Sequence, residues 1–283
     1  MLTGIIYQLI SMFSFGTSNV LWKFPQKYFS VFKIIVIRTL VSVVLFSIVA
    51  IIFYEQKGEI SDWIGAVIIG FVSFLGLVFY NLSLKISKVS HTVTITSTSA
   101  FFSVLTAIIL YNEKITWNLG LSFFLIVAGL FLLESKKPIL NWGKSTFYAI
   151  LAAIFWGTTF ALFKIPVEAI GSYNFSLVLE CSVLMGALLL MIITKNKTGP
   201  QLPRSRTYMS IIGIGVLGFL GVLFYNLAVA RVPIITLSVM GTFTPVISIT
   251  ISHLTLKERF TAIQYVGMVS TLMGVVFISV LTG

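Results

Sequence analysis

Two charged side chains stand in the middle of long apolar runs, where they are the residues best placed to do chemistry. Arg38 lies inside VFKIIVIRTLVSVVLFSIVA and Glu180 inside SYNFSLVLECSVLMGALLLM. An ionisable group surrounded by hydrocarbon is costly, so it is expected to be paired or functional. An ion pair between the two is the simplest use. Glu180 is also the lone acid deep inside such a run, which makes it the candidate for a coupling proton. A second set is polar and neutral. The stretch HTVTITSTSA, from His91 to Ala100, carries Thr92, Thr96 and Ser99, and Ser103 follows. Spacings of four, three and four put these hydroxyls on one helix stripe. Such a stripe either lets helices pack closely or forms a polar cavity wall.

Other candidates recur in pairs. FYNL occurs twice and holds Tyr80 and Tyr225. Lys23 and Lys164 each stand two residues before a proline, Pro25 and Pro166. Lysines there can snorkel to the interface, draw in an anionic solute or form gate pairs, and the prolines are expected to end their helices. Glu113-Lys114 and Glu258-Arg259 are acid–base pairs. Each acid could cap the following helix, pair with its neighbour or help close a gate. Asn19 and Trp156 fall at mid-run, where an amide and an indole N–H need partners. Phe15 is the counterpart of Trp156.

Catalytic chemistry has less to stand on. No H-E-x-x-H, no paired acids and no nucleophile with an adjacent base can be found, and no phosphate-binding G-x-x-x-x-G-K-[ST] loop. Cys181 is the single cysteine and the histidines are His91 and His253. The expectation is a protein with no catalytic residue, no metal site and no cofactor.

The elements that must position these residues follow from composition. Charged residues make up 10% of the chain and hydrophobic ones 58%, against about 25% and 45–50% in a soluble domain. So few charges cannot solvate a surface in water, which points to an integral membrane protein. The net charge of +11 does not imply nucleic acid. Its Lys and Arg residues mostly fall between apolar runs, as signals of topology and contacts to anionic lipid. Runs of about 20 apolar residues, the length that crosses hydrocarbon, predict ten spans near 3–24, 31–53, 61–82, 89–111, 117–134, 145–166, 172–194, 207–229, 234–255 and 261–282. Trp22, Trp63, Trp117 and Trp142 fall at span ends, where interfacial rings are expected.

The chain is also duplicated. FSFGTSNVLWKFP, Phe13 to Pro25, is rewritten as IFWGTTFALFKIP, Ile154 to Pro166, at a shift of 141. GLVFYNL from Gly76 returns as GVLFYNL from Gly221, at a shift of 145 that continues through Glu113/Glu258. Two repeats are predicted, 1–140 and 141–283. Five spans per repeat is an odd number, so the second copy enters the membrane reversed. The expected fold is an all-α integral membrane protein of ten transmembrane helices in two inverted five-helix repeats. Inverted repeats are the architecture of many secondary transporters, since exchanging the packings of the halves exchanges outward- and inward-open states. The repeats also differ: Ala100 stands where the ninth span has Pro245, so a proline kink is expected in the second half alone.

The phrase WGTTF with Lys164 beyond it, the two FYNL segments, Thr244-Pro245 and the acid–base pairs together resemble the EamA branch of the drug/metabolite transporter superfamily, over the whole chain. The resemblance implies a transporter of small metabolites, amino acids or similar polar organics, exported across a bacterial-type inner membrane. It implies a cavity lined by spans 1, 3, 4, 6, 8 and 9, with span 7 peripheral. The substrate-binding candidates are then Phe15, Asn19, Tyr80, Thr96, Ser99, Trp156, Tyr225 and Thr244. Lys23, Lys164, Arg38, Glu180, Glu113 and Glu258 are the gating or charge-pair candidates. The expected partners are a small-molecule substrate, membrane lipid and a coupling proton. The rival readings are an intramembrane enzyme and a carrier of nucleotide-sugar-like anions. Lys and Arg concentrate in the odd-numbered loops, which places both termini outside, whereas the resemblance implies cytoplasmic termini.

Overall fold

The computed structural model describes residues 1–53, 58–133, 143–194, 205–256, 261–263, 265–267, 269–270 and 273–274. All regular structure among them is helical. In chain order the helices are α1 (Leu2–Leu21), α2 (Val31–Ile52), α3 (Ile60–Ile86), α4 (Val89–Thr96), α5 (Ser99–Tyr111), α6 (Trp117–Leu133), α7 (Lys144–Leu162), α8 (Lys164–Ile170), α9 (Ser172–Ile193), α10 (Ser205–Val229), α11 (Ile234–Gly241) and α12 (Thr244–Leu256). Among the described residues, seven spans are long and apolar enough to cross a membrane: Val31–Ile52, Ile60–Ile86, Val89–Tyr111, Lys144–Ile170, Ser172–Ile193, Ser205–Val229 and Ile234–Thr255. Of the remaining expected spans, α1 is punctuated by Gln8, Ser11, Ser14, Ser18 and Asn19, and α6 has 17 residues. The tenth, 261–282, lies mostly outside the described residues.

The helices are apolar outside and partly polar inside, as a lipid solvent demands. On α2, Leu40, Val44 and Ile48 form an exposed stripe four apart, while Arg38, Thr39 and Ser42 are buried on the other side. Ile60, Ile64 and Ile68 do the same for α3. The ninth span is the most enclosed, with 72% of its most apolar window buried against 39–50% in the other six.

Three spans are broken, and the breaks correct the proline argument. The fourth span stops at Thr96 and restarts at Ser99 without any proline. Here the chain tightens into i−3 bonding: Thr98 N–H donates to Ile95 O at 3.1 Å and Ala100 N–H to Ser97 O at 3.1 Å. Ser97 and Thr98 hydroxyls donate back to Thr94 O and Ile95 O at 2.6 and 2.7 Å. Such back-bonding bends helices. The ninth span breaks at the equivalent place, with Thr242 Oγ1 on Val239 O and Phe243 N–H on Met240 O at 2.9 Å. Pro245 is merely the second residue of α12, where a missing N–H is harmless. Hydroxyls bonded back to their own helix thus accompany the break in both halves, and proline does not explain the one in the fourth span. Pro166 likewise does not end its helix: α7 stops at Leu162, and Pro166 sits in the first turn of α8. Pro25 opens a short 3-10 turn.

The packing is reciprocal between the repeats. α1 runs along α10 and α3 along α7, while α2 meets α9, its own counterpart. The glycines show how tight these contacts are. A Cβ on Gly157 would lie 2.4 Å from Ser99 O and 2.6 Å from Phe102 Cβ. On Gly16, the counterpart, it would meet Ile247 side-chain atoms at 2.7–2.8 Å and Thr244 O at 3.4 Å. Thr244 and Ile247 are the shift-145 mates of Ser99 and Phe102. Gly70 meets Ser182 and Leu179, and its mate Gly215 meets Val41 and Arg38, again mates of one another. When residue i meets j′ and i′ meets j, the halves are related by a two-fold. The two repeats are thus sequence units whose principal contacts run between them.

Gly157 and Gly65 separate this contact from simple helix propensity. Gly157→Ala is expected to lower stability by about 1–3 kcal/mol, because backbone rather than a flexible side chain is in the way. Gly65 has nothing within 4 Å of its would-be Cβ. Gly65→Ala should be neutral or stabilising by about 0.5–1 kcal/mol. Thermal unfolding of both variants in the same detergent checks the difference.

Candidate functional site

Between the halves lies a cavity of about 210 Å³. Its walls come from spans 1, 3, 4, 6, 8 and 9, and also from spans 2 and 7 through Arg38, Leu179, Glu180 and Val183. Span 7, expected to be peripheral, therefore reaches the centre. It does so because α9 packs against both α2 and α3.

All eight substrate-binding candidates, Phe15, Asn19, Tyr80, Thr96, Ser99, Trp156, Tyr225 and Thr244, line this cavity. The aromatic residues are held by the same reciprocity as the backbone. Trp156 lies on Gly76 of α3, where a Cβ would come within 2.5 Å of its Cδ1. Its mate Phe15 lies on Gly221 of α10, the mate of Gly76, where a Cβ would be 2.7 Å from Cε1. Trp156 Nε1–H donates to Ser73 O at 3.2 Å, so the indole is fixed at both edge and face. Rings then run across the site: Tyr80 to Trp156 at 5.1 Å, Trp156 to Phe160 at 6.0 Å and Phe160 to Tyr225 at 5.3 Å between centroids. The two tyrosines are not equivalent. Tyr225 OH donates to Phe160 O at 3.2 Å, while Tyr80 OH is buried with no hydrogen-bond partner.

The polar stripe divides. Thr92 is buried, with its hydroxyl 3.0 Å from Ser83 Oγ and 2.7 Å from Ser87 Oγ, and it packs α4 onto α3. The break after Thr96 ends the single stripe that the spacing predicts. Thr96, Ser99 and Ser103 do line the cavity. Ser103 Oγ is 2.6 Å from Ser238 Oγ, which joins the fourth and ninth spans across the two-fold. Asn19 both lines the cavity and donates to Ser248 Oγ at 3.1 Å. Gln8 is a wall residue that the sequence reading passed over. Its Nε2 donates to Leu237 O at 3.1 Å and its Oε1 has no partner. An amide eight residues into an apolar run was the signal available for it.

Arg38 and Glu180 meet, with Nη1 3.1 Å from Oε1 and both side chains buried. The offset of one residue between the repeats explains the encounter. The mate of Arg38 is Leu179, so Glu180 faces it where α2 crosses α9.

The terminal charges lie off the cavity. Lys23 donates to Leu84 O and Ser87 O at the end of α3, so it caps a helix rather than simply snorkelling. Trp22, expected at the interface, is buried and lines the cavity. Trp63 stands in the first turn of α3 and Trp117 is exposed at the start of α6, as expected, and Trp142 lies outside the described residues. Glu113 does not cap the helix that follows it. Its two carboxylate oxygens accept from Ile234 and Ile235 N–H at 3.0 and 2.9 Å, at the start of α11 in the other half. Lys164 Nζ stands 3.7 Å from Glu113 Oε1 and over the Tyr111 ring, 4.6 Å from its centroid. One clasp thereby joins the fourth, sixth and ninth spans. Glu258 lies outside the described residues.

A helical, multi-pass membrane protein with a cavity shared by two packed repeats has the architecture expected of a membrane transporter. The model of the EamA-like transporter family matches residues 2–135 and again 143–280, and the chain belongs to that family. A solved structure titled "Crystal structure of protein" has the same fold, with a TM-score of 0.77 at 12% identity over 98% of this chain and 96% of the other. A search of curated proteins gives no match.

The clasp gives a stability prediction. Glu113→Ala removes the acceptor for two helix-terminal N–H groups and is expected to destabilise by about 1–2 kcal/mol. Lys164→Met should have a smaller effect, about 0–1 kcal/mol, since that pair is partly exposed. Chemical or thermal unfolding of the two variants and the double variant measures both effects and their coupling.

Proposed function

We propose that this protein is a secondary transporter that exports small metabolites, amino acids or similar polar organics, across a bacterial inner membrane. The observation that carries this reading is the shared cavity whose walls exchange under the repeat: Trp156 on Gly76 from one side, Phe15 on Gly221 from the other. A site built in this way belongs equally to both halves. With five spans in each repeat, the second is reversed in the membrane, and rocking one half against the other opens the same site alternately to the two faces. The breaks in the fourth and ninth spans, and the Glu113 clasp, lie where such a movement bends and seals the protein.

Size and charge support a small solute. About 210 Å³ is below the ~300–1,000 Å³ of drug-sized sites. Arg38 and Glu180 cancel within the wall, which disfavours a nucleotide-sugar-like anion, and the intramembrane-enzyme reading has no reactive group to stand on. Glu180 is the group we assign to the coupling proton. Imposing a pH gradient should make the wild type accumulate solute, while Glu180→Gln should not accumulate it at any solute concentration that it can still exchange.

The site itself is tested by counterflow of labelled amino acids in proteoliposomes. Trp156→Ala should weaken solute affinity by about 1–3 kcal/mol with similar yield of folded protein, and Phe15→Ala should act in the same direction by less. Wild-type affinity and flux in a folded Trp156→Ala protein would place the site elsewhere.

A further inference from the structure

The buried ion pair is incomplete, and it is incomplete at the cavity. Arg38 and Glu180 use one atom each for their mutual contact, Nη1 to Oε1 at 3.1 Å. Arg38 Nε and Glu180 Oε2 are buried and have no hydrogen-bond partner. Both residues line the cavity, with side-chain exposures of 7% and 2%. A pair kept only to join α2 to α9 would be expected to satisfy its remaining donor and acceptor, because buried unpaired atoms of charged groups are destabilising. Gly218 lets the guanidinium pack onto the α10 backbone: a Cβ there would come 3.1 Å from Arg38 Nη1. The same cavity holds two further unpartnered buried groups, Gln8 Oε1 and Tyr80 OH.

We infer that Arg38 and Glu180 form a head-group subsite that recognises a zwitterion, its ammonium on Glu180 Oε2 and its carboxylate on Arg38 Nε–H. This rests on the reading of the cavity as the solute site. A free carboxylate oxygen beside a guanidinium with N–H groups to spare is the complement of an α-amino acid head. Gln8 Oε1 can take a second ammonium proton, and Tyr80 OH can donate to the carboxylate. A solute with a net charge would leave that charge uncompensated beside the neutral pair, whereas a zwitterion leaves the whole assembly neutral. The rest of the wall, Phe15, Trp156, Phe160, Val222 and Leu237, is suited to an apolar or aromatic side chain. A proton and an ammonium then compete for the same carboxylate oxygen, so the subsite couples their movements by exclusion.

The test uses the full-length protein in lipid nanodiscs, with leucine, phenylalanine and methionine, their amides and their N-acetyl derivatives. At least one free amino acid should bind, and its amide and N-acetyl forms should bind about 10- to 100-fold more weakly, the scale of losing a charged hydrogen bond. Arg38→Met with Glu180→Leu, which replaces the pair by apolar groups that a buried site tolerates, should abolish the discrimination. Should that variant not fold, the single changes decide. Glu180→Gln should lose the preference over the N-acetyl form but keep that over the amide, and Arg38→Gln should do the reverse. Derivatives that bind as well as the free amino acid, no binding of any free amino acid, or charge variants that discriminate like wild type would each overturn the inference. Trp156→Ala separates the two readings. If it weakens binding while the charge variants do not, the cavity stands and the head-group subsite falls; if none has an effect, both fall.

Discussion

Gly157 meets the backbone of Ser99 so closely that not even a methyl group fits between them. In lipid, apolar side chains gain nothing by meeting one another, so helices associate through close packing and a few buried polar bonds. The structure depends on that constraint. Its small residues sit where the halves touch, and the repeat ensures that each such contact exists twice. The most enclosed span, the ninth, is the one that receives Gly16 of α1, Asn19 through Ser248, and the Glu113 carboxylate at its start. The closest glycine contacts thus join one repeat to the other rather than helices of the same repeat.

Much of this was legible in the sequence. The duplication gave both repeats and the pairing of Phe15 with Trp156, and seven of the ten expected apolar runs are helices long and apolar enough to cross a membrane. The glycine of each repeated phrase is its best-explained residue in the structure, yet the sequence could not say what it touched. The eight binding candidates fall on one cavity because the helices that carry them turn these polar and aromatic residues toward the space between the repeats. Gln8 escaped notice since it has no polar counterpart in the second half, where Ala149 stands.

The misreadings share a cause, which is reliance on residue type over local bonding. Proline was expected to break one half, but both halves are broken, and at each break serine and threonine hydroxyls return to their own helix carbonyls. Pro166 looked like a stop and is a start. Trp22 looked interfacial because it lies at a span end, whereas the bundle closes over it. Glu113 was read against its sequence neighbours, and its partners lie about 120 residues away, at Ile234 and Ile235. Contacts across a two-fold leave no trace in a single sequence, except that both partners are written twice.

The central claim is that the space between the halves is a solute site reached by water. Cysteines placed singly at Thr96, Ser103 and Ser238 in a Cys181→Ala background test it most directly, with Thr92 as the internal control because it is fully buried and lies off the cavity wall. The account predicts that a membrane-impermeant thiol reagent modifies the three cavity positions, that an amino acid which binds the protein slows the reaction, and that Thr92→Cys stays unmodified. If the three cavity positions were as inert as Thr92→Cys in folded protein, the polar wall would be helix packing alone and the account would be contradicted.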